Sequence, residues 1–106
     1  MTDRQEEPGD VIAVFRPWTL GVNAAAVPVS ANWPFAKLSV FQHGINARLL
    51  GRDVWVDHDE VLVVARSAGG IRIEWDGGVR TNAIFLMGLR RGRLVQALES
   101  AGFAVR

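Results

Sequence analysis

This sequence predicts a mainly β fold with one C-terminal α-helix: a curled sheet or open barrel of about seven antiparallel strands, capped by the helix. Three observations carry that expectation. Short runs rich in valine and isoleucine alternate with glycine-bearing turns through the middle of the chain. Ile71, Ile73 and Trp75 alternate strictly with Arg72, Glu74 and Asp76, as a strand with one wet face requires. Near the C-terminus the spacing changes: Leu94, Ala97, Leu98 and Ala101 fall at i, i+3, i+4 and i+7 and draw a single helical stripe.

The elements follow in order. Residues 1–10 read as a polar tail, and residues 11–106 as a single domain. Val11 to Phe15 is a β-branched apolar run closed by Arg16-Pro17, hence a first strand. Residues 17–37 carry Pro17, Pro28 and Pro34 together with Trp18 and Trp33, and read as a loop with an irregular strand around 22–30. Leu38 to Gln42 is the next strand, His43-Gly44 its turn, and Ile45 to Leu50 the return, with Ile45, Ala47 and Leu49 on one face. Gly51-Arg52 leads into Val54-Trp55-Val56. The acidic connection Asp57-His58-Asp59-Glu60 precedes Val61 to Ala65. Gly69-Gly70 and Asp76-Gly77-Gly78 are hairpin turns around Ile71–Asp76, and Val79 to Met87 pairs back as the last strand. After the helix, Gly102 stands where a left-handed stop is wanted, and Phe103 where a side chain folds back on the last turn.

Composition narrows the chemistry. The chain has 106 residues, enough for one core that buries about 60–68% of the unfolded surface without staples. It has no cysteine, so disulfides, thiolate metal sites and cysteine nucleophiles are excluded. The first residues lack the basic start and apolar run of a secretory signal, and Gly21 to Ala31, interrupted by Pro28, is too short to span a bilayer. A soluble, cytoplasmic protein is the expectation. Eleven arginines stand against one lysine, the usage of GC-rich coding, which predicts a bacterial or phage source poor in phosphoinositides.

Charge is segregated along the chain. Residues 11–52 contain Arg16, Lys37, Arg48 and Arg52 without an acid, whereas residues 53–76 hold six acids against Arg66 and Arg72. Residues 77–106 return to five arginines against Glu99. Folded, such blocks either scatter over the sheet faces or gather into a field that steers charged partners.

The runs FAKLSVFQHGINARLL, VWVDHDEVLVV, IRIEWDGGVRTNAIFL and RLVQALESAGF together resemble the pleckstrin-homology-like (PH-like) superfamily, its GRAM-type and bacterial members above all. The resemblance spans residues 36–104. It implies a barrel with the acid–hydrophobic pair Glu60-Val61 ending a short strand, a terminal helix, and work as a binding module without cofactor. Phosphoinositide-binding members carry a basic triplet. Lys37 fills its first place, but Ser39 stands where the arginine belongs.

Candidate site residues fall into three groups. Arg16, Lys37, Arg48 and Arg52 with Trp18 and Trp33 make a basic and aromatic set, fit for a membrane or protein interface; the tryptophans read equally as a cover for one barrel mouth. Arg90, Arg91 and Arg93 open the helix, where the macrodipole disfavours cations, so an anion would neutralise them; a hydrated loop is the plainer alternative. Asp57 to Glu60 reads as a solvated turn rather than a metal loop, since four adjacent polar residues do not curl round one centre. No serine stands beside His43 or His58 in sequence, so catalysis is not expected. The leading expectation is therefore a protein partner, bound through a sheet edge or the open barrel end. An anionic membrane surface is the alternative. Near-neutral charge disfavours nucleic acid.

Overall fold

The computed structural model describes residues 11–24, 27–67, 69–77, 81–88 and 91–106. Within them the chain forms nine strands, one 3₁₀ turn and one helix. The strands are β1 (Val11–Phe15), β2 (Thr19–Ala24), β3 (Val27–Asn32), β4 (Ala36–Phe41), β5 (Gly44–Leu49) and β6 (Arg52–Asp57). The 3₁₀ turn His58–Glu60 leads to β7 (Val61–Ser67), β8 (Gly70–Asp76), β9 (Thr81–Met87) and the helix α1 (Arg91–Ser100). The expected N-terminal tail, residues 1–10, lies outside the described residues, as do Ala25, Ala26, Ala68, Gly78 to Arg80, Leu89 and Arg90.

The strands make two antiparallel sheets, ordered β1-β4-β5-β6 and β3-β2-β9-β8-β7. This places the strands in two sheets rather than a single one: among the described residues no ladder joins them, and no closed barrel forms. It also corrects the strand count. Residues 19–32, part of the stretch 17–37 expected as a loop with an irregular strand around 22–30, are a hairpin that joins the second sheet, with Val22 opposite both Val29 and Ile84. Leu20 and Val22 alternate into the core there. Pro28 fits because β3 pairs on one side only, and an edge strand tolerates a residue without an N–H.

Alternation places the rest. Ile45, Ala47 and Leu49 of β5, Ile71, Ile73 and Trp75 of β8, and Ile84 and Leu86 of β9 are buried between the sheets. Trp55 is not among them. It lies on the outer face of the first sheet, tilted against Phe41 at 5.6 Å, with its indole N–H donating to Asp57 Oδ1 at 2.6 Å. The β4–β5 turn is Gln42-His43, one residue earlier than expected, because Gly44 already pairs with Phe41.

Helix α1 buries Leu94, Val95, Ala97 and Leu98 and packs against β1. It stops as its sequence dictates: Gly102 takes φ +94°, and Phe103 N–H reaches the Leu98 carbonyl at 3.0 Å while Gly102 N–H reaches that of Glu99 at 3.0 Å. Phe103 then stacks on His58, with ring centroids 4.1 Å apart. The last residues run along β7, where Arg106 N–H donates to the Val64 carbonyl at 2.8 Å and Arg66 N–H to the Arg106 carbonyl at 2.9 Å. No described helix is long and apolar enough to cross a membrane.

Candidate functional site

Short links decide which strand ends meet. Arg16-Pro17-Trp18 joins β1 to β2, and Trp33-Pro34-Phe35 joins β3 to β4, so both sheets present these ends on one side of the molecule. Antiparallel pairing brings the Leu50-Gly51 turn, the start of β6, the end of β7 and the start of α1 to the same side. Arg16, Lys37, Arg48, Arg52, Arg66 and Arg91 all lie there, with Asp53 the exception in sign. Asp57, Asp59, Glu60 and Asp76 occupy the opposite end. The alternating blocks of the sequence thus become one basic and one acidic end.

The register sharpens the basic end. Lys37 of β4 stands directly opposite Arg48 of β5, and Arg16 follows the Phe15–Leu38 pair, so the three cations cross the outer face in a row that ends on Asp53 of β6, opposite Arg48. Like charges facing across a ladder cost about 0.2–1 kcal/mol. Among the described residues none of the three has a hydrogen-bond or ion-pair partner. They line a groove of about 290 Å³ together with Pro34, Phe35 and Leu50.

Phe35 and Leu50 line this groove, and the exposed Trp18 and Trp33 sit on the links beside it. Trp18 is 64% exposed, Trp33 51%, Phe35 62% and Leu50 60%. The two indoles lie 5.6 Å apart, and the backbone fixes them, since Trp33 N–H donates to the Trp18 carbonyl at 2.9 Å. Each ring keeps one part against the protein and leaves the rest open to solvent. Leu50 is held in turn to the same loop: its N–H donates to the Phe35 carbonyl at 3.0 Å.

The turn itself carries strain. Leu50 has φ +51° and Gly51 φ +81°, the pair of left-handed residues that a two-residue hairpin of this hand requires. Glycine accepts that conformation freely. A residue with a branched side chain pays about 1–2 kcal/mol for it.

The sequence-predicted residues are therefore partly gathered. Arg16, Lys37 and Arg48 share the groove, whereas Trp18 and Trp33 do not line it and sit on the same two links as Arg16 and Pro34. Arg52 lies just past the Leu50-Gly51 turn and lines a separate slot between the sheets, with Val22, Ala24, Val29, Leu49, Asp53 and Val54. Of the helix-start arginines, Arg90 lies outside the described residues. Arg93 is exposed, and Arg91 donates to the Ser67 carbonyl at 3.1 Å, tying the helix to β7. Phe35 and Leu50 were missed by sequence reasoning. Their signal was an apolar residue on each of two turns, where small polar residues are the rule.

The acidic turn at the far end is a structural connection. Glu60 Oε1 accepts from Asp57 N–H at 3.0 Å, and His58 N–H donates to the His43 carbonyl at 2.9 Å. Among the described residues no three His, Asp or Glu side chains gather as metal ligands. Comparison with protein-family models, curated proteins and solved structures finds no match to this chain.

Proposed function

We propose that this chain is a non-catalytic interaction module that docks through its basic end on an anionic membrane surface. The observation that carries the reading is the unpartnered row Arg16, Lys37 and Arg48 set among exposed Trp18, Trp33, Phe35 and Leu50. Cations facing each other across a ladder are unfavourable in isolation and become favourable once an anionic plane neutralises them. Indole rings suit the headgroup layer, where one edge is wet and the other apolar. The acidic end points away, so the molecule approaches in one orientation. A PH-like module is part of this proposal, supported by the antiparallel sheets closed by a single C-terminal helix.

Each basic side chain near an anionic surface contributes about 1 kcal/mol, which is about fivefold in partitioning. The test is cosedimentation with anionic and neutral vesicles at low and high salt. The expected outcome is salt-sensitive pelleting with the anionic vesicles, reduced about 25-fold at low salt by Lys37→Ala with Arg48→Ala. Pelleting indifferent to lipid charge contradicts the proposal.

A protein partner is the second reading, and a different observation favours it. The C-terminal residues run along β7 and α1 packs against β1, whereas β3 and β6 are the other edge strands of the two sheets. Between them lies the slot of about 310 Å³ lined by Val22, Val29, Leu49 and Val54. An extended protein segment added to either edge would place alternate apolar side chains in that slot. On this reading no vesicle pellets the chain, and Val54→Arg abolishes capture of the partner while Lys37→Ala spares it.

A further inference from the structure

Leu50 is the residue that the fold would replace first if stability were all that mattered. It stands 60% exposed at the tip of the β5–β6 hairpin, at φ +51°, followed by Gly51 at φ +81°. Asparagine before glycine is the preferred pair for this turn, since its short polar side chain tolerates the left-handed region. A leucine there, 60% exposed, gains little burial in return. Backbone strain kept at an exposed position marks a site where something other than folding is served.

The surroundings say what that is. Arg48 and Arg52 lie two residues to either side of Leu50, and Lys37 stands opposite Arg48. The tip is thus an apolar point flanked mainly by cations, with Asp53 opposite Arg48 as an acid among them, beside the exposed ring of Phe35. It does not swing freely, because the Leu50 N–H is bonded to the Phe35 carbonyl at 3.0 Å. Charge complementarity selects the occupant: apolar matter lying immediately beneath a layer of negative charge, the profile of an anionic bilayer.

We infer that Leu50 is the lipid-inserting anchor of this surface, held out by the strained turn while Arg48 and Arg52 stay at headgroup level. The inference rests on the membrane reading proposed above. It separates anchoring from stability, because one substitution moves the two in opposite directions.

The test compares the wild-type chain with Leu50→Asn and Leu50→Met on phosphatidylcholine vesicles with and without phosphatidylglycerol. Leu50→Asn is expected to raise the thermal midpoint by about 4 °C or more through relief of strain. It is also expected to lower partitioning onto the anionic vesicles about tenfold, the loss of one leucine side chain from an apolar phase, with the salt dependence unchanged. Leu50→Met keeps the apolar reach and retains wild-type partitioning. A Leu50→Asn variant that is more stable but partitions like wild type overturns the anchor alone. A less stable variant removes the strain on which the argument stands. Wild type that stays in the supernatant with every vesicle overturns the membrane reading, and the anchor with it.

Discussion

Gly70 and Gly92 look interchangeable as letters, yet the structure treats them oppositely. A Cβ added at Gly70 would lie 1.8 Å from the Leu86 carbonyl oxygen, inside the β8–β9 ladder, so backbone would have to move. Gly70→Ala is therefore expected to cost about 3 kcal/mol. Gly92 is exposed on α1 with nothing within 4 Å of its added Cβ. Gly92→Ala should stabilise by about 0.5–1 kcal/mol, through better helix propensity. Urea unfolding of both variants checks the pair, and equal effects would contradict the geometry. Ser39 makes a related point. It is 5% exposed beside the Lys37–Arg48 pair, so this position of the outer face is closed by packing.

At the scale of elements, α1 is the part whose sequence leaves least freedom. Its apolar stripe is buried and its opposite side, Arg93, Gln96, Glu99 and Ser100, is exposed. Leu98→Ala removes a side chain with no exposed area and is expected to cost about 2–5 kcal/mol. Gly102→Ala acts through the stop signal instead. At φ +94° an L residue is strained, and its Cβ would meet His58 Cε1 at 3.1 Å. A loss of about 1–2 kcal/mol is expected, together with weaker amide protection at Phe103 and Arg106, since both the stacking on His58 and the β7 edge bonds depend on that turn. Hydrogen exchange separates the two variants: Leu98→Ala lowers protection globally, Gly102→Ala first at the C-terminal residues.

At the scale of the whole molecule the governing quantity is the separation of charge. The chain measures 35 × 30 × 27 Å, and a six-residue strand such as β6 spans about 20 Å between the two ends. At physiological ionic strength the Debye length is about 8 Å, so a surface touching the basic end does not sense the acidic one. At 0.01 M salt it reaches about 30 Å and does. Asp59→Asn, an exposed change at the far end, should leave vesicle partitioning unaltered at 0.15 M salt and strengthen it measurably at 0.01 M. Vesicle titrations at both salts check this, and an effect at high salt alone would mean that the acidic end touches the surface. On the proposed docking, the same orientation keeps Trp18 and Leu50 on the side turned toward the vesicle.

The division between what could be read and what could not follows the range of the forces. Alternation and helical spacing are local, so β5, β8, α1 and the Gly102 stop were legible from neighbouring residues alone, and Ile45, Ile73, Trp75 and Leu98 are buried where their periods place them. The hairpin of β2 and β3 was not, because an alanine run and Pro28 mask its alternation, and only pairing with β9 makes residues 19–24 a strand. The list of basic and aromatic site residues came from the sequence. Their assembly did not: Arg16, Lys37 and Arg48 are far apart in the chain and become a row only through the β1–β4–β5 register. Leu50 and Phe35 joined them for the same reason, since exposure on a shared end is a property of strand pairing and short links rather than of any residue's neighbours. By itself the sequence determined the class of fold, the core faces and the helix with its stop. Only the tertiary structure decided that the strands divide into two sheets, and that the charges sort to opposite ends, because both depend on contacts distant in sequence.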